Sequence, residues 1–244
     1  MRPVLAVFKR EFAAYFATPL AYVFIVIFLL AMGAFTFYVG HFYDNGVANL
    51  SVFFGYHPWL YLFLVPAVGM RLWAEERRLG TIELLLTLPI PVWASVLGKF
   101  LAAWAFIGVA LALTFPIWIT VNYLGSPDNG AILASYVGSF LMAGGYLAIS
   151  AAISASTNNQ VIAFVVSVVV CFLFTVAGAP LVLDFFQLWA PIVLVNTISG
   201  FSFLTHFQAI SSGVIDLRDL IFFGSLIALF LSVNVVLVDL KKTD

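Results

Sequence analysis

Six stretches of the chain, roughly 20–40, 53–70, 100–121, 131–154, 161–183 and 220–238, contain no Asp, Glu, Lys or Arg. Backbone can cross a hydrocarbon layer only where its polar groups are paired internally, as in a helix. A helix needs about 20 mainly apolar residues at ~1.5 Å each to do so. The pattern therefore predicts an all-α integral membrane domain over 1–244 with six transmembrane helices, and an even number returns both termini to one side. Composition points the same way: with 64% hydrophobic and 9% charged residues, 244 residues cannot coat a water-soluble domain. A formal charge of −1 offers no basic face to nucleic acid. The one cysteine, Cys171, has no partner for an intrachain disulfide and reads as a small buried hydrophobe.

Lys and Arg are retained on the cytoplasmic side of short membrane loops. Arg2, Lys9 and Arg10 precede the first run, Arg71, Arg77, Arg78 and Lys99 fall between the second and third, and Lys241 and Lys242 close the tail. Arg218 stands alone on the other side, so both termini are expected in the cytoplasm. Lys9, Arg10 and Glu11 interrupt the first apolar stretch, which is expected to stay as an uncleaved segment. Residues 1–18 read as an interfacial elbow helix, with Leu5, Phe8, Phe12, Tyr15 and Phe16 on its apolar side. Pro19 suits the first turn of the next helix. Pro66 and Pro116 predict kinks in the second and third spans, and Pro58 a turn where the second begins. The fourth span is rich in small residues, with Gly144, Ala148 and Ala152 at four-residue spacing. Packing within the subunit is the simpler use for them, a subunit interface or pathway lining the other. Residues 184–219 are too apolar for a free loop but are interrupted by Gln187, Pro191, Asn196 and Gly200. Short re-entrant or interfacial helices on the outer side are expected there, in preference to a seventh crossing.

Several chemistries have no residues to run them. The six runs carry no ionisable group for a proton or ion relay, and His41, His57 and His206 lie outside the core spans or show no metal-ligand spacing. No lysine sits in a phosphate-cradling Gly-x4-Gly-Lys-Ser/Thr loop: Lys99 follows Gly98 but precedes Phe100. Glu75 and Glu76 resemble the glutamate pair of membrane CAAX-type proteases, but Gly80 stands where that pattern needs an arginine.

Charge gathers instead in the stretch from Arg71 to Lys99. Glu75 and Glu76 lie four and five residues after Arg71, so one of the two acids can pair with it along one helix. Gly80 can end that helix in the left-handed conformation. Thr81 can cap a short second helix with Glu83 in its first turn, and Pro89 and Pro91 stop it. Leu84, Leu85 and Leu88 form an apolar knob that one small loop cannot hide.

Glu76-x3-Gly80-Thr81-x-Glu83-x-Leu85-Leu86-x2-Pro89, followed by Gly98-Lys99-Phe100, resembles the signature of ABC-2 type transporter permeases in their gliding-motility-associated branch. The likeness extends to Lys9-Arg10-Glu11 with Tyr15-Phe16, to Asn159-Gln160, and to His206-Phe207 with Gly213 to Asp219. The resemblance implies a six-span, non-enzymatic permease of the inner membrane that pairs with a second copy or paralogue. It also implies docking on separate cytoplasmic ABC ATPase subunits, which bind the ATP and Mg, and an extracytoplasmic accessory subunit. No cofactor or metal is expected in this chain. The loop 74–91 would hold the coupling helix, with Glu75, Glu76, Arg77, Arg78, Gly80, Thr81, Glu83, Leu84, Leu85 and Pro89 as the ATPase-coupling residues. Asp216 and Asp219 are expected to cap a helix. Two other functions remain open at this point: an ATPase-driven scaffold or mechanical transmitter that exports nothing, and an intramembrane hydrolase using Glu75.

Overall fold

A computed structural model describes residues 2–44, 46–80, 90–188 and 190–240. Among them the chain is helical throughout, with no strand. The helices are α1 (Arg2–Ala17), α2 (Pro19–Gly33, continued by π-helical turns over Ala34–Val39), α3 (Ser51–Gly55), α4 (His57–Gly69), α5 (Arg71–Arg78), α6 (Val92–Ala112) and α7 (Pro116–Leu124). They continue with α8 (Asn129–Ser156), α9 (Gln160–Val176), α10 (Pro180–Gln187), α11 (Ile192–Ser199), α12 (Phe203–Ser211) and α13 (Leu217–Leu240). Their starts follow from sequence chemistry. Pro19, Pro116 and Pro180 open helices where an N–H is not needed. The side chains of Asp128, Asn159 and Ser202 accept hydrogen bonds from the first free amides of α8, α9 and α12.

The centre of the molecule is α8, whose 28 residues extend about 42 Å. It packs against α4, α5, α6, α9, α12 and α13. Close approach is bought by glycine: a Cβ on Gly138 would strike Ile210, on Gly144 Trp104, and on Gly145 Phe203, each within 3.0 Å. Ala148 and Ala152 are buried as well, so the small-residue face serves packing within this chain. Two polar ties set its register. Ser139 hydrogen-bonds with His57 and Tyr61, and Ser154 with Met70, Trp73 and Ala74. The order of these pairs makes α4 and α8 run parallel. The opposite order, Lys99 near Glu76 but Thr114 bonded to Tyr136, makes α6 antiparallel to both.

Among the described residues, four helical segments are long and apolar enough to cross a membrane: Pro19–Val39, Val92–Leu124, Asn129–Ser156 and Leu217–Leu240. Counting two bent pairs, Gln160–Val176 with Pro180–Gln187 and Ile192–Ser199 with Phe203–Ser211, as spans raises the number to six. The run expected at 53–70 is divided between α3 and α4 and ends at Met70, before α5. The 13 residues of α4 alone reach only about 20 Å. Tyr56 and Met70, between the pieces, keep right-handed helical angles. The fifth run bends by 72° after Val176, where Gly178 lies so close to Ser202 and Thr205 that no Cβ fits. Pro116 marks the break between α6 and α7, and Pro66 lies inside α4.

Residues 184–219 form short helices. α12 lies along α8 from Gly145 to Gly138, about 10 Å of its length, which carries this segment into the bundle rather than over it. The elbow helix α1 packs on α6. Val7 is buried against Gly98 while Leu5 is half exposed, and Tyr15 stacks on Phe106 at 4.9 Å.

Candidate functional site

The helix leading to the charged loop begins with a break at Met70, where the bundle supplies the missing partners. Ser154 Oγ accepts hydrogen bonds from the Trp73 and Ala74 amides and donates to the Met70 carbonyl at 2.7 Å. One hydroxyl on α8 thus fixes the angle at which α5 leaves α4. Within α5, Arg71 donates Nε and Nη2 to the two oxygens of Glu75 at 2.7 and 2.8 Å, the planar fork that guanidinium and carboxylate favour. Of the two acids that the spacing offers Arg71, Glu75 is the one that pairs with it.

Glu76 turns to a different partner. Lys99 Nζ donates to Glu76 Oε1 at 2.7 Å, lies 3.3 Å from Glu11 Oε1, and sits 5.4 Å from the centre of the Trp73 ring. Lys99, counted by sequence with the loop, is in fact in the second turn of α6 and only 3% exposed. Its burial follows from three elements, α1, α5 and α6, meeting around one cation. Arg10 also donates to Glu11, at 2.6 Å. Arg77 has both terminal nitrogens buried with no hydrogen-bond partner among the described residues. Arg78 and Leu79 are half exposed or more, and Gly80 ends the segment at φ +69°, the left-handed stop expected of it. Thr81, Glu83, Leu84, Leu85 and Pro89, the rest of the expected coupling set, lie outside the described residues.

The ion pairs set the protonation of the cluster. Burial pushes the Glu11 carboxyl up, but Lys99 and Arg10 together outweigh it and hold it below the usual 4.5. The Arg71 hydrogen bonds do the same for Glu75 against a smaller burial effect, and burial lowers the Arg77 guanidinium from its ordinary value. Both glutamates thus ionise more readily in the folded protein than in the unfolded chain. Their stabilisation is fully present above the unfolded value of 4.5 and is lost as pH falls through the lowered folded values. Melting of the detergent-solubilised protein should hold steady from about pH 7 to 5 and drop below that, and Glu75→Gln should remove part of the drop.

At the other end of the bundle the structure assembles a pair that sequence reasoning missed. His206 Nδ1 lies 2.5 Å from Asp219 Oδ1 and Nε2 lies 3.0 Å from the Gly200 carbonyl, with the ring stacked 4.0 Å from Phe222. The ring thus faces a carboxylate at Nδ1 and a backbone carbonyl at Nε2. Asp219 is therefore a buried partner of His206 and not a helix cap. Asp216 does the capping, accepting from the Arg218 amide. The one available signal was the turn at Gly213, φ +90°, which folds α13 back on α12.

A family model for the ABC-2 family transporter proteins matches residues 62–239, from α4 to the end of α13. No curated protein matches the chain. The matched stretch contains the Met70 break, the Arg71–Glu75 and Lys99–Glu76 pairs and the His206–Asp219 pair, and it covers well over half of the sequence. With its all-helical apolar body, the chain is a multi-pass membrane protein and belongs to the ABC-2 family of transporter proteins, the membrane permease components of ABC transporters.

Proposed function

We propose that the chain is the permease subunit through which a separate cytoplasmic ATPase does work across the inner membrane, and that the ATPase grips the loop 74–91. ATP and Mg belong to that partner, and a second copy or paralogue of this chain completes the membrane unit. Both termini face the ATPase side, as the distribution of Lys and Arg argues. The gliding-motility-associated branch rests on the sequence likeness from Lys9 to Asp219.

The observation that carries the reading is the way α5 is tied. Its first turn hangs from Ser154 of α8, and its Glu76 shares Lys99 of α6 with Glu11 of α1. A force applied beyond Gly80 therefore reaches three other helices through hydrogen-bonded side chains. Leu84 and Leu85 supply the apolar grip in this reading, Thr81 and Glu83 the helix start, and Pro89 its stop. Arg77 and Arg78 supply donors for acidic or carbonyl groups of the partner.

The test is co-purification with a cytoplasmic ABC ATPase from the same cells and the rate of ATP hydrolysis by the complex. Leu85→Asp should abolish association by placing a charge in an apolar contact, and Glu83→Ala should weaken it. Unchanged association and unchanged ATPase stimulation in both variants would remove the docking assignment.

A further inference from the structure

Between α1, α2 and α4, beside the ion-pair cluster, lies a cavity of about 500 Å³, a size typical of small-molecule sites. Its long wall is apolar, formed by α2 from Leu20 to Ile27 and α4 from Leu64 to Val68. Leu20, Val23 and Ile27 are each about half exposed along this wall, so the cavity opens sideways, toward the space that lipid fills around a membrane protein. From Leu20 to Ile27 it reaches about 10 Å along the first span, a third of the ~30 Å hydrocarbon thickness. Its other end is charged, and the elbow helix α1 places that end at headgroup level.

The charges at that end discriminate between headgroups. Three carboxylates, Glu11, Glu75 and Glu76, and two cations, Arg71 and Lys99, line it, and Arg10 behind Glu11 is the third cation. Both cation contacts of Glu11 fall on Oε1, leaving Oε2 for another donor. Arg71 binds Glu75 through Nε and Nη2, leaving Nη1 for another acceptor. With acids and cations in balance, neither a net anionic nor a net cationic headgroup is favoured. A zwitterion satisfies both ends, with its phosphate at Arg71 and its ammonium at Glu11. A primary ammonium can donate to Glu11, whereas a quaternary one cannot.

We propose that this cavity seats one membrane phospholipid with a primary-ammonium headgroup, its ammonium at Glu11, its phosphate at Arg71, and an acyl chain along α2 and α4. The proposal does not depend on ATPase docking, because it concerns the chain in the membrane by itself.

The test uses the full-length protein in vesicles of one bulk composition. Each preparation is doped with a trace of photoactivatable phospholipid bearing an ethanolamine, choline or glycerol headgroup, and the labelled peptides are identified. The ethanolamine probe should label the α2 and α4 wall about tenfold more than either of the others, the worth of one charge-assisted hydrogen bond. Ala67→Trp, which fills the cavity, should abolish that labelling. Glu11→Gln, which keeps the shape and so does not rely on the tryptophan variant folding, should equalise the ethanolamine and choline probes. Equal labelling of the wild type by all three probes would overturn the proposal in favour of ordinary boundary lipid. Preference for the glycerol probe would overturn it in favour of an anionic-lipid site, and labelling unaffected by Ala67→Trp in a folded variant would place the lipid elsewhere.

Discussion

Lys99→Met should lower the stability of the protein by about 3 kcal/mol, the low end of the cost of removing one partner from a buried ion pair. The side chain is 3% exposed, while Glu76 and Glu11 are 20% and 19% exposed. Methionine fills the volume but leaves two carboxylates facing each other with no cation between them. The low end of the range is appropriate because water still reaches both acids. At about 2–4 °C per kcal/mol for a chain of this size, the melting midpoint should fall by about 6–12 °C. Lys99→Arg, which keeps the charge, should recover most of it. A double-mutant cycle with Glu76→Gln separates the pair from the packing of the stem on Trp73. Equal losses in the Lys99→Met and Lys99→Arg variants would show that the site needs lysine's shape and not its charge. If α5 carries force to the bundle, Lys99→Met should also uncouple ATP hydrolysis from the permease at temperatures where the variant is still folded.

The second large effect is expected at the far end. Asp219→Leu strips the partner from His206, a ring 4% exposed and stacked on Phe222. The cost should be about 1–3 kcal/mol, because the buried Nδ1 of His206 is left without its hydrogen-bond partner. Replacing both members, as in His206→Phe with Asp219→Leu, should cost less than Asp219→Leu alone, since the group then left without its partner is the part-buried Gly200 carbonyl and not a buried ring nitrogen. Thermal melting of the three proteins decides this. If the double variant is the least stable, the pair contributes through its packing shape and the hydrogen-bond account fails.

Much of the architecture could be read from residue order. Charge-free runs marked the long helices, Asp128 and Asn159 stand at the starts of α8 and α9, and Gly80 ends α5 as a glycine in that position should. That Arg71 pairs with one of the two acids after it was legible because they follow it along one helix. What escaped were ties between distant segments. Lys99 and Glu76 are 23 residues apart, His206 and Asp219 13, and Ser154 and Trp73 81. A local pattern cannot specify which remote acid a lysine will meet, and Ser154 looked like one more small residue in a span full of them. The division of the second run had a similar cause. Hydropathy records that 53–70 is apolar, but not that its helices part at Tyr56 and Met70, or that Ser154 takes the Trp73 and Ala74 amides just beyond.

The two serine ties on α8 limit how the bundle can change shape. Ser139 holds α4 near its start and Ser154 holds the chain just past its end, about 22 Å apart on α8 and about 20 Å apart from His57 to Met70. Two rods bolted together at both ends cannot glide past each other by a helical turn without undoing both bolts in the same instant. They can still tip as a single plank. Whatever stroke this protein makes, the plank of α4 and α8 should pivot as one piece, with the bending left to the joints at Met70 and Gly178.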